Sequence, residues 1–172
     1  MAVDMFIKID TVDGEAQDSK HKKEIDVLSW SWGMSNAGSA HAGGGAGAGK
    51  ANVQDLSFTK WVDSATPKLA LACCAGKHFK DAVLVVRKAG EKPVEYLKIK
   101  MEVVLISAVS TGGSGGEDRL TENITLNFSK ISLDLRPSVP ERDERLSRGL
   151  SLAARLGECD RRWLPEYSEN ET

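Results

Sequence analysis

Period-two alternation of apolar and polar positions runs through most of the first 135 residues. Residues 96–105 place Leu97, Ile99, Met101, Val103 and Leu105 on one face and Tyr96, Lys98, Lys100, Glu102 and Val104 on the other, which predicts a long strand with one wet side. Across Leu120–Leu135, Ile124, Leu126 and Phe128 alternate with Asn123, Thr125 and Asn127, and the apolar phase then moves to Ile131, Leu133 and Leu135. A one-residue slip of that kind near Ser129-Lys130 predicts a β-bulge or a strand that changes sheets. Shorter strands are predicted over Val3–Ile9, Glu24–Trp32, Val53–Lys60 and Ala82–Lys88. One helix interrupts them at about 66–75: Thr66 is placed as N-cap, Pro67 opens the first turn, and Gly76 can end the helix in left-handed geometry. Strands at short intervals with a single flanking helix predict a mainly β fold, a tight barrel or sandwich of two sheets.

Composition leaves that picture intact and adds two irregularities. Ten of the 16 glycines fall in 38–49 and 112–116. The first cluster occupies Asn36–Lys50, between two strands and too bare of side chains to pack on its own monomer, so it reads as either functional or disordered. The second joins the two longest strands as a flexible connection. The basic residues divide at about residue 135, with fourteen lysines and two arginines before it and seven arginines and no lysine after it.

Charge and motif chemistry exclude more than they offer. The net charge of −2 carries no basic face for phosphate neutralisation and no polybasic run for an anionic membrane, so neither nucleic-acid binding nor membrane insertion is expected. The N-terminus shows no basic segment followed by an apolar one, predicting a cytoplasmic product whose export, if any, uses no cleavable signal. Cys73, Cys74 and Cys159 form no C-x-x-C, and His21, His41 and His78 make no ligand pair, so no metal is expected. Gly44 to Lys50 fits G-x-x-x-x-G-K, but Ala51 stands where a Mg²⁺-binding hydroxyl is needed and a strand follows where a helix is needed. Asp26, Asp55, Asp63, Glu117 and Asp118 include no pair that the sequence forces together, and no nucleophile elbow is present. No enzyme activity and no cofactor are expected.

The segments Met1–Ile9, Glu24–Ser35 (EIDVLSWSWGMS), Val53–Lys60 (VQDLSFTK) and Thr111–Asn127 (TGGSGGEDRLTENITLN) together resemble the haemolysin-coregulated protein (Hcp) family of bacterial type VI secretion. The resemblance spans residues 1–135. It implies a tight two-sheet barrel with a flanking helix, assembling as a homo-hexamer whose rings stack into the inner tube of a contractile machine. It further implies a surrounding sheath, a valine-glycine-repeat spike protein at the tip, effectors carried in the lumen, and release into the medium or a target cell without a signal peptide. The family's extended stacking loop corresponds to Asn36–Lys50, which carries Gly38, Gly43, Gly44, Gly45, Gly47 and Gly49. Glycines let such an arm lie close to a neighbouring ring's strands. Alternation in Asp26–Trp32 puts Ser29 and Ser31 on one face and Leu28, Trp30 and Trp32 on the other. The tryptophans then read as core or subunit contacts, and Ser29 and Ser31 as either effector contacts on the lumen wall or an ordinary solvated face. Ala89–Pro93 is a further candidate for a ring-face contact.

Beyond Leu135 the resemblance stops, and residues 136–172 form an arginine-rich tail in which no closing strand is expected. Glu141, Asp143 and Glu144 followed by Leu146, Leu150 and Ala153 suit a helix over 140–156, stopped at Gly157; disorder is the other reading. The switch from lysine to arginine suits an altered reading frame or a divergent replacement of the native end; the rival reading is that the tail is selected. The alternative function is a non-stacking effector-binding adaptor whose altered tail disrupts tube assembly.

Overall fold

The structure, a computed structural model, describes residues 3–36, 51–88, 93–113, 115–116, 118–135 and 150–155. Its strands are β1 (Val3–Ile9), β2 (Ile25–Ser31), β3 (Met34–Asn36), β4 (Ala51–Val53), β5 (Leu56–Trp61), β6 (His78–Lys88), β7 (Val94–Gly112), β8 (Thr121–Leu135) and β9 (Leu150–Arg155), with one helix, α1 (Thr66–Ala75). Six of them close into an antiparallel barrel in the order β5-β2-β1-β6-β7-β8, sealed by pairing of β5 with β8. Closure covers the edges of β5 and of the first half of β8, which would otherwise invite unwanted pairing. Ile7, Ile25, Phe58, Leu84, Ile99 and Ile124 fill the interior. The mainly β barrel with a helix at 66–75 is thus the predicted one, joined by a small second sheet of β3 and β4.

The predicted phase slip in β8 is real, and β7 shares it. β7 buries Ile99 and Met101, then Val104 and Ile106, while β8 buries Ile131, then Phe128 and Leu126. Met101 still opposes Ile131 and Val104 still opposes Phe128, so both strands exchange faces together without changing register. The cause is a change of neighbours: β8 pairs with β5 over Thr121–Leu126 and with β9 over Lys130–Leu135. Val103, expected to face inward, is instead 51 % exposed and has φ 52°, a left-handed conformation that costs a β-branched residue about 1–3 kcal/mol.

Three further expectations need correction. The strand predicted over Val53–Lys60 is broken, because Gln54 turns to donate its backbone N–H to Gly33 O at 3.0 Å and separates β4 from β5. Thr66 does not cap α1; Ala65 takes that position, and the Thr66 hydroxyl accepts from Asp63 N–H at 3.1 Å and donates to Glu122 at 2.8 Å. Gly76 ends the helix at φ 60° as expected. Finally, the tail does supply a strand. Residues 150–155 form β9 rather than part of a helix over 140–156, because the far half of β8 has a free ladder on the side away from β7. Leu150, Leu152 and Ala154 alternate with Ser151, Ala153 and Arg155, a period of two as well as the helical one. Residues 136–149 and 156–172, including Cys159, lie outside the described residues.

Candidate functional site on the outer face of the barrel

On the outer surface of β2, β5, β8 and the end of β7, the cross-strand register assembles small uncharged side chains into rows. Ser29 opposes Thr59, Thr59 opposes Asn123, and Asn123 opposes Ser110; one step along, Ser31 opposes Ser57, Ser57 opposes Thr125, and Thr125 opposes Ala108. Thr59 donates to Asn123 Oδ1 at 2.6 Å, and the Ser57 and Thr125 hydroxyls lie 3.1 Å apart. At the near end of the rows Asp55 accepts from Ser107 Oγ at 2.7 Å and Asn127 Nδ2 at 2.8 Å. The other flank is different in kind: exposed Lys8 and Lys98 stand on β1 and β7, and Lys100 opposes Val83 of β6. The two sides of the barrel therefore offer a neutral hydrogen-bonding surface and a charged one.

Ser29 and Ser31 are both exposed on this face, while Trp30 and Trp32 are half-buried and pack against the core. Leu28 departs from its expected place beside the tryptophans. The register of β2 against β5 shifts between Val27 and Ser29, so Val27 stays buried and Leu28 is pushed outward, 37 % exposed. Ser57, Thr59, Asn123, Thr125 and Ser110 complete a surface that sequence reading reduced to two serines. The alternation of Asn123, Thr125 and Asn127 was its visible trace, but which strands lie side by side is set by closure.

The glycines of the proposed stacking loop, Gly38, Gly43, Gly44, Gly45, Gly47 and Gly49, lie outside the described residues, as do positions 89–92. The ends of the glycine-rich segment are described. Met34 opposes Val53, Ser35 opposes Asn52 and Asn36 opposes Ala51, a ladder that brings the two ends of the segment together. Met34, Ser35, Asn36 and Asn52 are exposed.

Beside the row of Trp61, a cleft of about 380 Å³ is lined by Glu15, Gln17, Asp26, Trp61, Asp63 and Arg119. The fold thus gathers Asp26 and Asp63, which the sequence alone did not bring together. Burial pushes the Asp26 carboxyl up, opposed by the Arg119 guanidinium, itself 5.1 Å from the centre of the Trp61 ring. Among the described residues no group of three His, Cys, Asp or Glu is placed to hold a metal ion.

A clasp ties the 13–24 segment to the barrel. Arg87 donates to both oxygens of Asp18 at 3.1 and 2.7 Å and to Asp4 at 2.9 Å, while His21 stacks on Phe6 with ring centres 4.5 Å apart. Nearby, Gly14 leaves no room for a side chain, since a Cβ would lie 2.4 Å from Glu24 O. The Arg87 hydrogen bonds hold the Asp18 carboxyl well below the usual carboxylate range. A depressed folded pKa contributes stability that is present above the unfolded value, about 4, and is lost as pH falls through the folded value. Urea midpoints of the wild type are therefore expected to fall between pH 7 and pH 3, and Asp18→Asn to lessen that fall; an equal fall in both would contradict the assignment.

Comparison with known proteins agrees with this fold. A sequence model of the family described as "Type VI secretion system effector, Hcp" matches residues 6–134. The chain is 68 % identical over 138 residues to the protein hcp1 of Pseudomonas aeruginosa, covering 80 % of this chain and 85 % of that protein. A type VI secretion system effector from Yersinia pestis superposes with a TM-score of 0.72 at 37 % identity, covering 89 % of this chain and all of that one (100 %). A solved structure described as a type six secretion system protein gives a TM-score of 0.79 at 31 % identity, covering 90 % and 96 % of the two chains. The chain belongs to the Hcp family of type VI secretion, a family of secreted tube and effector proteins.

Proposed function

We propose that this chain is a subunit of the type VI inner tube: six copies close into a ring, rings stack, and the uncharged face of β2, β5, β8 and β7 lines the lumen and carries effectors. The observation that supports it most is the continuous neutral surface of Ser29, Ser31, Ser57, Thr59, Asn123 and Thr125, next to a paired arm at β3 and β4. Hydroxyls and amides keep a channel wet, and they offer a passenger hydrogen bonds whose net worth, about 0.5–1.5 kcal/mol each, allows both binding and release. The β3–β4 arm, with main-chain groups free to join a neighbouring sheet, is assigned to contact between rings. Trp30 and Trp32 then hold the lumen wall against the core. In this reading the tube is driven by a contractile sheath, is tipped by a valine-glycine-repeat spike protein and leaves the cell with its effectors, without enzymatic chemistry of its own. Residues 1–135 form the tube domain, and β9 extends its sheet from the tail.

Native mass spectrometry of the full chain tests the reading. A six-copy species is expected, and a single-copy species at micromolar concentration would overturn it.

A further inference from the structure

Among the described residues, the neutral face carries one ionisable side chain between the Thr59 row and the base of the β3–β4 arm. That residue is Asp55, one position beyond the Gln54–Gly33 hydrogen bond that closes the arm. Its carboxylate is built into the surface. Oδ1 takes the Asn127 amide of β8 at 2.8 Å, and Oδ2 takes the Ser107 hydroxyl of β7 at 2.7 Å, so two other strands fix a group that begins on the β4–β5 turn. Ser107 Oγ also lies 3.2 Å from Thr125 O, which ties the pair to the row of Ser31, Ser57 and Thr125. A carboxylate has about four acceptor positions, and these two bonds use about two of them. Among the described residues no other side chain bonds to Asp55, and its remaining positions face donors from outside this cluster or water.

We propose that Asp55 selects passengers by charge, accepting lysine and arginine side chains of a polypeptide that lies along the Ser29–Thr59 and Ser31–Ser57 rows. The proposal rests on the reading of that face as the lumen wall. Each copy contributes one such carboxylate, so a ring presents them as a collar at the arm end of an otherwise neutral surface. A pre-oriented anion in a neutral hydrogen-bonding field loses little on meeting a cation, because the donors that hold it need not rearrange. The hydroxyl and amide rows accept any extended polypeptide, whereas the collar discriminates by sign.

The test uses assembled full-length protein and three fluorescein-labelled Gly/Ser peptides that bear several lysines, several glutamates or no charge. The wild type is expected to bind the lysine peptide about tenfold more tightly than the glutamate peptide at low salt, the size of one charge-assisted hydrogen bond. Asp55→Asn should bring the lysine peptide to the level of the uncharged one, and Asp55→Lys should reverse the order, with assembly checked by native mass spectrometry. An unchanged preference in both variants would overturn the proposal, as would loss of assembly in both, which makes Asp55 an interface residue. Binding of all three wild-type peptides alike would overturn the role of Asp55 alone. Failure of assembled wild type to bind any of them would overturn the lumen reading and this proposal with it.

Discussion

Substituting Lys60 with methionine is expected to remove about 3–5 kcal/mol of folding stability, a large share of what a domain of this size possesses. Lys60 is fully buried, and its ammonium lies 2.6 Å from Asp63, 2.6 Å from Glu122 and 2.8 Å from Trp61 O. Glu122 is fully buried as well, and Lys60 opposes it where β5 and β8 close the barrel. Asp63 also accepts the backbone N–H of Ala65 at 2.9 Å, and Thr66 donates to Glu122 at 2.8 Å, so the same cluster anchors the first turn of α1. Removal of the cation leaves two carboxylates with little water and no counter-charge, which is far more costly than loss of an exposed ion pair. Equilibrium denaturation measures the effect. The double substitution Lys60→Met with Glu122→Gln should recover a substantial part of the loss, since one orphaned charge is then gone. A loss below about 1 kcal/mol in the single variant would show that the cluster is solvated and does not seal the barrel.

Deleting Ala40–Ala48 is expected to leave the barrel and the ring intact and to abolish tubes. The segment lies beyond the ladder of Met34–Asn36 with Ala51–Val53, and no strand of the barrel closes through it. Shortening a connection whose ends are already paired changes the closure entropy by only about a kcal/mol or less, so the melting temperature should barely move. Contacts between rings are the opposite case, because an arm that reaches a neighbour supplies hydrogen bonds repeated around the whole ring face. Electron microscopy of the variant should show single rings under conditions in which stacks are expected of the wild type. Stacks of normal length in the variant would remove the arm from inter-ring contact.

Most of the barrel was legible because apolar and polar positions alternate along large parts of its strands. β1 and α1 appear at their predicted bounds, and the slip at Ser129-Lys130 marks the point where β8 changes partners. Two inward positions were also readable in principle: Lys60 follows Leu56 and Phe58 in phase, and Glu122 precedes Ile124 and Leu126, so opposite charges on inward faces of two strands signal a buried pair. What sequence could not supply is lateral order. Nothing local says that β5 lies between β2 and β8, and without that order Ser29 and Asn123 are unrelated residues on separate strands. Local exceptions were hidden for a similar reason. The outward displacement of Leu28 and the left-handed Val103 arise from how paired strands accommodate a shift in register or a change of face, not from the residues' own preferences. β9 was missed because Leu150, Ala153 and the charged residues before them suit a helix equally well, and the free ladder of β8 decides between the two.

Electron microscopy of the purified wild-type chain tests the central claim most directly. Six-fold rings with an open centre are expected, stacking end to end as concentration rises. A field of single barrels, with neither rings nor stacks at any concentration, would contradict it.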